Sequence, residues 1–313
     1  MTNAILEVRD LVRTFGSFNA VDRVSFRVER GEVAGFIGPN GAGKTTTMRI
    51  AATLDLPDGG DVFIDGESVV ARAREVRRRL GFMPDAYGAY SATTVHDYLD
   101  FFARAYGLSR EERRETIRRL VDFVQLGDLL EKDTSELSKG MRQRLCLAKT
   151  LLHDPDLMIL DEPASGLDPR ARIELRELVK ALAGMGKAIL ISSHILSELG
   201  EMCDSIIVIE RGVVLAQGRV DELSRGLRQR TQLLYVKSFG PLEALERALL
   251  EEAGVQATNA EEAGLVVRFS GDEQGRAALL ARLVTRGVPI TEFRSDAVGL
   301  EDVFLDVTRG RVQ

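Results

Sequence analysis

The stretch Gly38-Pro39-Asn40-Gly41-Ala42-Gly43-Lys44-Thr45-Thr46 constrains this chain more than any other. It satisfies the phosphate-loop pattern G-x-x-x-x-G-K-[ST] without a mismatch. The apolar run before it, Val33-Ala34-Gly35-Phe36-Ile37, reads as a buried strand, and Thr46 to Leu54 reads as a helix. Strand, glycine loop and helix together make an anion site. Glycines let the backbone bend around phosphates with no Cβ in the way. The N–H groups of the loop and of the helix N-terminus then face the anion, and the helix dipole adds to the attraction. Lys44 is placed to reach the β- and γ-phosphates, and the hydroxyl of Thr45 to ligate Mg²⁺.

A second nucleotide feature lies downstream. Leu157-Met158-Ile159-Leu160-Asp161-Glu162 reads as a buried strand presenting two carboxylates at its C-terminal end, where sites in parallel sheets sit. Asp161 suits Mg²⁺, directly or through water, and Glu162 suits orienting or deprotonating an attacking water. Lys187 to Ser192 reads as a further strand that ends near His194, whose imidazole would meet a γ-phosphate. Ser138 and Gly140 open a helix that runs to about His153, and they form a second anion-binding terminus that one nucleotide does not obviously need. Pro169 fits the first position of a helix to about Ala183, after the turn Ser165-Gly166-Leu167-Asp168. Phe15, just ahead of a turn at Gly16, reads either as a stacking platform for adenine or as a core aromatic.

The rest of the chain frames these motifs. Segments 5–12 and 24–29 read as strands, as do 62–64, 80–85 and the hairpin 206–209 with 213–216. The basic run Arg72 to Arg79 reads as a solvated helix face. Pro84-Asp85 breaks into a loop holding Tyr87, Gly88, Tyr90 and Ser91. Two helices follow, Val95 to Tyr106 and one opened by a capping box at Ser109-x-x-Glu112 that runs to about Gln125. The aromatics of the first, among them Tyr98, Phe101, Phe102 and Tyr106, are core or a docking surface. A helix from Val220 closes the first domain, 1–230, whose helical insert spans about 86–155. Residues 231–313 follow as β-α-β-β-α-β with a last helix at 300–308, a small α+β domain of ferredoxin-like type. They contain no His, no Cys and no acid pair at a strand end, so dimerisation or regulation is expected of them rather than catalysis.

Composition narrows the class. At 313 residues with 44% hydrophobic content, two domains are expected, and a net charge of −6 gives no footprint for nucleic acid. Cys146 and Cys203 form neither a metal spacing nor a disulfide framework and read as small buried residues in a reducing cytoplasm. No apolar run approaches the ~20 residues of a spanning helix. The N-terminus carries no signal-peptide pattern.

Over residues 4–220 the chain resembles ATPase subunits of ABC transporters. The resemblance rests on the phosphate loop at 38–45, Leu137-Ser138-Lys139-Gly140-Met141 as signature, Leu157 to Glu162, the aspartate loop Ser165 to Asp168, and His194. It implies an α/β P-loop NTPase with a RecA-like core, an antiparallel β subdomain and a helical subdomain. It further implies two subunits packed head to tail, a homodimer by expectation. Each ATP with its Mg²⁺ would lie between the phosphate loop of one subunit and Ser138 and Gly140 of the other, with Asp168 at the dimer contact. Glu162 becomes the catalytic carboxylate, His194 the γ-phosphate sensor and Phe15 the adenine platform. Two positions depart from the pattern. Lys139 and Met141 replace Gly and Gln, and Asp85 stands where a Gln or Glu usually reaches Mg²⁺, so its metal contact is through water or absent. More loosely, the C-terminal extension with Gly299-Leu300-Glu301-Asp302-Val303-Phe304-Leu305 resembles that of drug- and antibiotic-exporter ATPases. The expectation is therefore an exporter ATPase at the cytoplasmic face of the membrane, docked near 82–106 on a separate permease. A soluble ABC ATPase acting on ribosomes or DNA is the alternative.

Overall fold

The computed structural model describes residues 3–85, 93–195, 199–223, 232–261 and 264–296. The chain forms two compact units, Met1–Gly218 and Arg219–Gln313. The division falls ahead of the 230/231 boundary expected from sequence.

The first unit opens with β1 (Ala4–Phe15) and β2 (Phe18–Glu29), an antiparallel hairpin closed at Gly16-Ser17. β1 is longer than the expected 5–12, because its cross-strand pairing continues through Arg13 and Thr14 to Phe15 opposite Phe18. Next come β3 (Val33–Ile37) and α1 (Lys44–Ala51). α1 starts ahead of the expected Thr46, because Gly43 takes the left-handed turn just before Lys44. β4 (Gly59–Ile64) and β5 (Glu67–Ser68) then join the hairpin in a four-stranded sheet, ordered β2-β1-β4-β5. The basic run yields only one helical turn, α2 (Ala73–Val76), before the chain feeds into β6 (Leu80–Met83).

The helical segment holds α3 (Val95–Ala105), α4 (Arg110–Phe123) and α5 (Lys139–Thr150). The capping box forms as its spacing predicts: Glu112 N–H donates to Ser109 Oγ, and Ser109 N–H donates to Glu112 Oε2 at 2.7 Å. The aromatics of α3 divide by face. Tyr98 is buried, whereas Phe101 and the following Tyr106 are exposed. The expected loop residues Tyr87, Gly88, Tyr90 and Ser91 lie outside the described residues, as does the helix at 300–308.

After β7 (Leu157–Leu160), α6 (Pro169–Gly184), β8 (Ala188–Ser193), β9 (Ser205–Glu210) and β10 (Val213–Arg219) complete the unit. The hairpin between β9 and β10 turns on Arg211 and Gly212, both at positive φ. The second sheet is ordered β10-β9-β3-β8-β7-β6, with β9, β3, β8, β7 and β6 in parallel register. Every residue of β3, β7 and β8 is buried, the physical cause of the apolar runs that fill β3 and β7 and the first four residues of β8. This order sets the C-terminal ends of β3, β8, β7 and β6 side by side. The helix expected from Val220 is described only over 220–223.

The second unit contains β11 (Gln232–Ser238), α7 (Leu242–Leu250), β12 (Val255–Glu261), β13 (Gly264–Phe269), α8 (Glu273–Thr285) and β14 (Ile290–Asp296). Its sheet is antiparallel throughout, ordered β12-β13-β11-β14. That is the ferredoxin-like arrangement expected of a β-α-β-β-α-β run. Leu245 and Leu249 of α7 and Leu279 and Leu283 of α8 meet Leu234 and Val236 of β11 in its core.

Candidate functional site

Four neighbouring strand ends deliver the site. β3 leads into the phosphate loop, β8 ends at Ser193 before His194, β7 ends before Asp161 and Glu162, and β6 ends two residues before Asp85. The loop itself depends on missing side chains. A Cβ on Gly38 would lie 2.2 Å from the carbonyl oxygen of Ile209. Gly43 has φ +102°, and a Cβ there would lie 2.4 Å from the carbonyl oxygen of Ala20. The backbones of β9 and β2 therefore pack directly against the loop.

A cleft of 390 Å³ opens over the loop, lined by Asn40 to Thr46 together with Phe15, Phe18, Asp85, Glu162 and His194. Lys44 is 5% exposed. Its Nζ donates to Gly38 O at 2.7 Å and lies 3.5 Å from Glu162 Oε1. His194 Nδ1 meets Glu162 Oε2 at 2.8 Å. Glu162 itself adopts φ +49°, a region that a residue with a Cβ enters only under constraint.

Asp161 is buried behind this group. Burial pushes its carboxyl above the usual range, against hydrogen bonds from Ser192 and Thr45. The neighbouring carboxylates of Glu162 and Asp85 push it further the same way. A carboxylate in that setting gains from a cation beside it. Among the described residues, no three His, Cys, Asp or Glu side chains are grouped to enclose a metal. The donors present are one hydroxyl and one carboxylate, with Asp85 at the cleft wall. That set fits Mg²⁺, which takes few protein ligands and completes its shell with phosphates and water.

Phe15 is 50% exposed on the cleft wall, with the Arg13 guanidinium 4.9 Å from its ring centroid, which removes the core alternative. Ser138, Gly140 and Asp168 are not among the residues lining the cleft. Ser138 caps α5, accepting from Met141 N–H at 3.2 Å, and Asp168 caps α6, accepting from Ala171 N–H at 2.9 Å. Cys146 is buried and Cys203 nearly so, and burial pushes both thiols up, in keeping with inert packing residues.

Three residues at the site escape sequence reasoning. Phe18 pairs across the hairpin with Phe15 and lines the same cleft; the aromatic two residues past Gly16 was its only signal. Ser192 Oγ joins Asp161 to the backbone of Glu162. Gln143, buried on α5, donates through Nε2 to the carbonyl oxygen of Pro163.

Comparison with known proteins identifies the family. Residues 21–165 match the family model described as ABC transporter. The chain is 35% identical over 314 residues to the Nod factor export ATP-binding protein I of Burkholderia orbicola, covering all of both chains. It is 34% identical to the uncharacterized ABC transporter ATP-binding protein YxlF of Bacillus subtilis, covering 97% of this chain and 99% of that one. A solved structure described as an ATP-binding subunit of an ABC transporter superposes with TM-score 0.65 at 34% identity, over 72% of this chain and 93% of that one. With a phosphate loop, a carboxylate pair and a histidine at one sheet edge, and relatives matched along its whole length, this chain belongs to the ABC transporter family, as an ATP-binding subunit that hydrolyses ATP.

Proposed function

We propose that this chain is the motor subunit of an exporter, and that two copies close over two Mg-ATP to drive a separate membrane permease. The observation that carries the reading is the convergence of Lys44, Glu162 and His194 beside the phosphate loop. Lys44 neutralises the β- and γ-phosphates. Glu162 holds and polarises the attacking water. His194, hydrogen-bonded to Glu162, orients it and contacts the γ-phosphate. Thr45 and Asp161 hold Mg²⁺, with Asp85 contributing through water. The ion, held by those residues, would supply positive charge against the charge that develops on the phosphates.

Ser138 and Gly140 serve the partner's nucleotide. Their place at the N-terminus of α5, outside this chain's own cleft, supports that reading. Asp168, at the N-terminus of α6, contributes to the dimer contact. The second unit acts in dimerisation or regulation. Export is supported by the relatives named for Nod factor export. A separate permease holds the subunit at the cytoplasmic face; among the described residues no helix is long and apolar enough to cross a membrane. The exposed Phe101 and Tyr106 support docking near 82–106. No nucleic acid partner is proposed.

The test is a membrane pull-down from the native host with tagged Glu162→Gln protein, with and without ATP. Recovery of a multi-span membrane protein is expected. Recovery of ribosomes or soluble complexes alone would make the exporter reading wrong while leaving the ATPase chemistry intact. Light scattering of the same variant with Mg-ATP is expected to show a dimer, and a monomer would contradict the two-copy model.

A further inference from the structure

Ser192 is completely buried at the end of β8, two residues before His194. The residues before it, Ile189, Leu190 and Ile191, are apolar and buried, so its hydroxyl is a polar break in an apolar strand. That hydroxyl is used in both directions. It donates to Asp161 Oδ1 at 2.7 Å and accepts from the Glu162 N–H at 2.8 Å. The strand end therefore grips Glu162 twice, its backbone through Ser192 and its carboxylate through His194. Glu162 needs a grip, since its φ of +49° is a conformation that surrounding structure has to impose on a residue with a side chain.

The geometry points to Ser192 as a positioning residue for ATP hydrolysis. Its single hydroxyl sets two carboxylates in one register. Asp161 is held in rotamer through its Oδ1. Glu162 is fixed in backbone conformation, with its carboxylate aimed at Lys44 and His194. In the run N–H to hydroxyl to carboxylate each bond polarises the next, so the pair is stiffer than two separate contacts. Without the hydroxyl, Asp161 loses a donor and the Glu162 N–H loses its acceptor. Both carboxylates are then free to drift at the point where placement sets the rate. The inference rests on the hydrolytic roles proposed above for Asp161 and Glu162.

The experiment compares full-length wild type, Ser192→Ala, Ser192→Thr and Glu162→Gln. The readouts are affinity for a fluorescent ATP analogue in EDTA, the gain in affinity on adding Mg²⁺, turnover, and the melting midpoint. For Ser192→Ala, affinity in EDTA is expected to stay close to wild type, while the midpoint drops modestly because Asp161 and the Glu162 N–H each lose a buried partner. The Mg²⁺-dependent gain and kcat are expected to fall about 10- to 100-fold, the usual loss when a residue that orients a metal ligand is removed. Ser192→Thr keeps a hydroxyl and is expected to recover most of both.

A Ser192→Ala protein with wild-type Mg²⁺ gain and kcat overturns the proposal. So does one whose EDTA affinity and midpoint fall together, since that is a folding role. A Ser192→Thr protein that melts like wild type yet works no better than Ser192→Ala overturns it as well. Wild type that fails to turn over Mg-ATP would sink the hydrolytic reading itself. Turnover abolished by Glu162→Gln but untouched by Ser192→Ala would sink only the role of Ser192.

Discussion

Lys44 Nζ and Glu162 Oε1 lie 3.5 Å apart, and both side chains are largely withdrawn from solvent. The cation of the phosphate loop is thus also the counter-charge of the carboxylate beside it. Lys44→Ala removes the charge that meets the phosphates and leaves the Gly38 carbonyl and Glu162 without a cation. Truncating one member of a buried, hydrogen-bonded charge pair costs on the order of 2–5 kcal/mol of binding. ATP affinity is expected to fall beyond detection at micromolar protein in a fluorescent-nucleotide titration. Micromolar binding by a folded Lys44→Ala protein would undo the assignment of the phosphate loop.

The loop's shape is as demanding as its charge. Gly43 combines φ +102° with a backbone oxygen 2.4 Å from where a Cβ would stand. Gly43→Ala imposes both a strained conformation and a clash with Ala20, and backbone oxygen cannot step aside as a flexible side chain can. Strain of this kind costs of order 1–3 kcal/mol before the clash is counted. Urea unfolding is expected to show at least that loss. A variant as stable as wild type would mean that the loop relaxes freely.

Much of this was legible in the sequence for definite physical reasons. Strands buried on both faces are apolar over most of their length, so β3, β7 and the first four residues of β8 announce themselves. Phosphate binding needs glycine and lysine at fixed spacing, and the capping box at Ser109 and Glu112 is a local exchange of hydrogen bonds. What stayed hidden depends on register between distant segments. Ser192 and Asp161 are 31 residues apart, and only the parallel pairing of β7 with β8 brings them together. Phe18 joins Phe15 only because the hairpin turns in two residues. The turn α2 is shorter than its basic run suggested, because charge spacing does not say where a chain must leave a helix to enter a strand.

Gln143 ties the helix that begins at Ser138 to the segment that follows Glu162. Its Nε2 donates to the Pro163 carbonyl, and the side chain is buried. Gln143→Ala leaves that carbonyl without its donor, a loss of roughly 1–3 kcal/mol for a buried acceptor. Chemical denaturation is expected to show a destabilisation in that range. A loss below about 0.5 kcal/mol, the level of an ordinary surface substitution, would mean that water or a neighbour replaces the bond.

Phe15 and Phe18 sit opposite each other at the hairpin tip, 50% and 58% exposed, and both on the cleft wall. Only Phe15 is proposed as the adenine platform. Stacking of a base on an aromatic ring is worth about 1–3 kcal/mol by alanine substitution. Phe15→Ala is therefore expected to weaken ATP binding while leaving inorganic triphosphate unaffected, because the phosphate loop is untouched. Phe18→Ala is the control on the same tip. If Phe18→Ala lowers ATP affinity and Phe15→Ala does not, the platform is the residue that sequence reasoning missed. If neither matters, the adenine is held elsewhere and the two exposed rings serve another contact. Parallel titrations of the two variants with ATP and with triphosphate separate the three outcomes, since only a ring that touches the base changes the ratio of the two affinities.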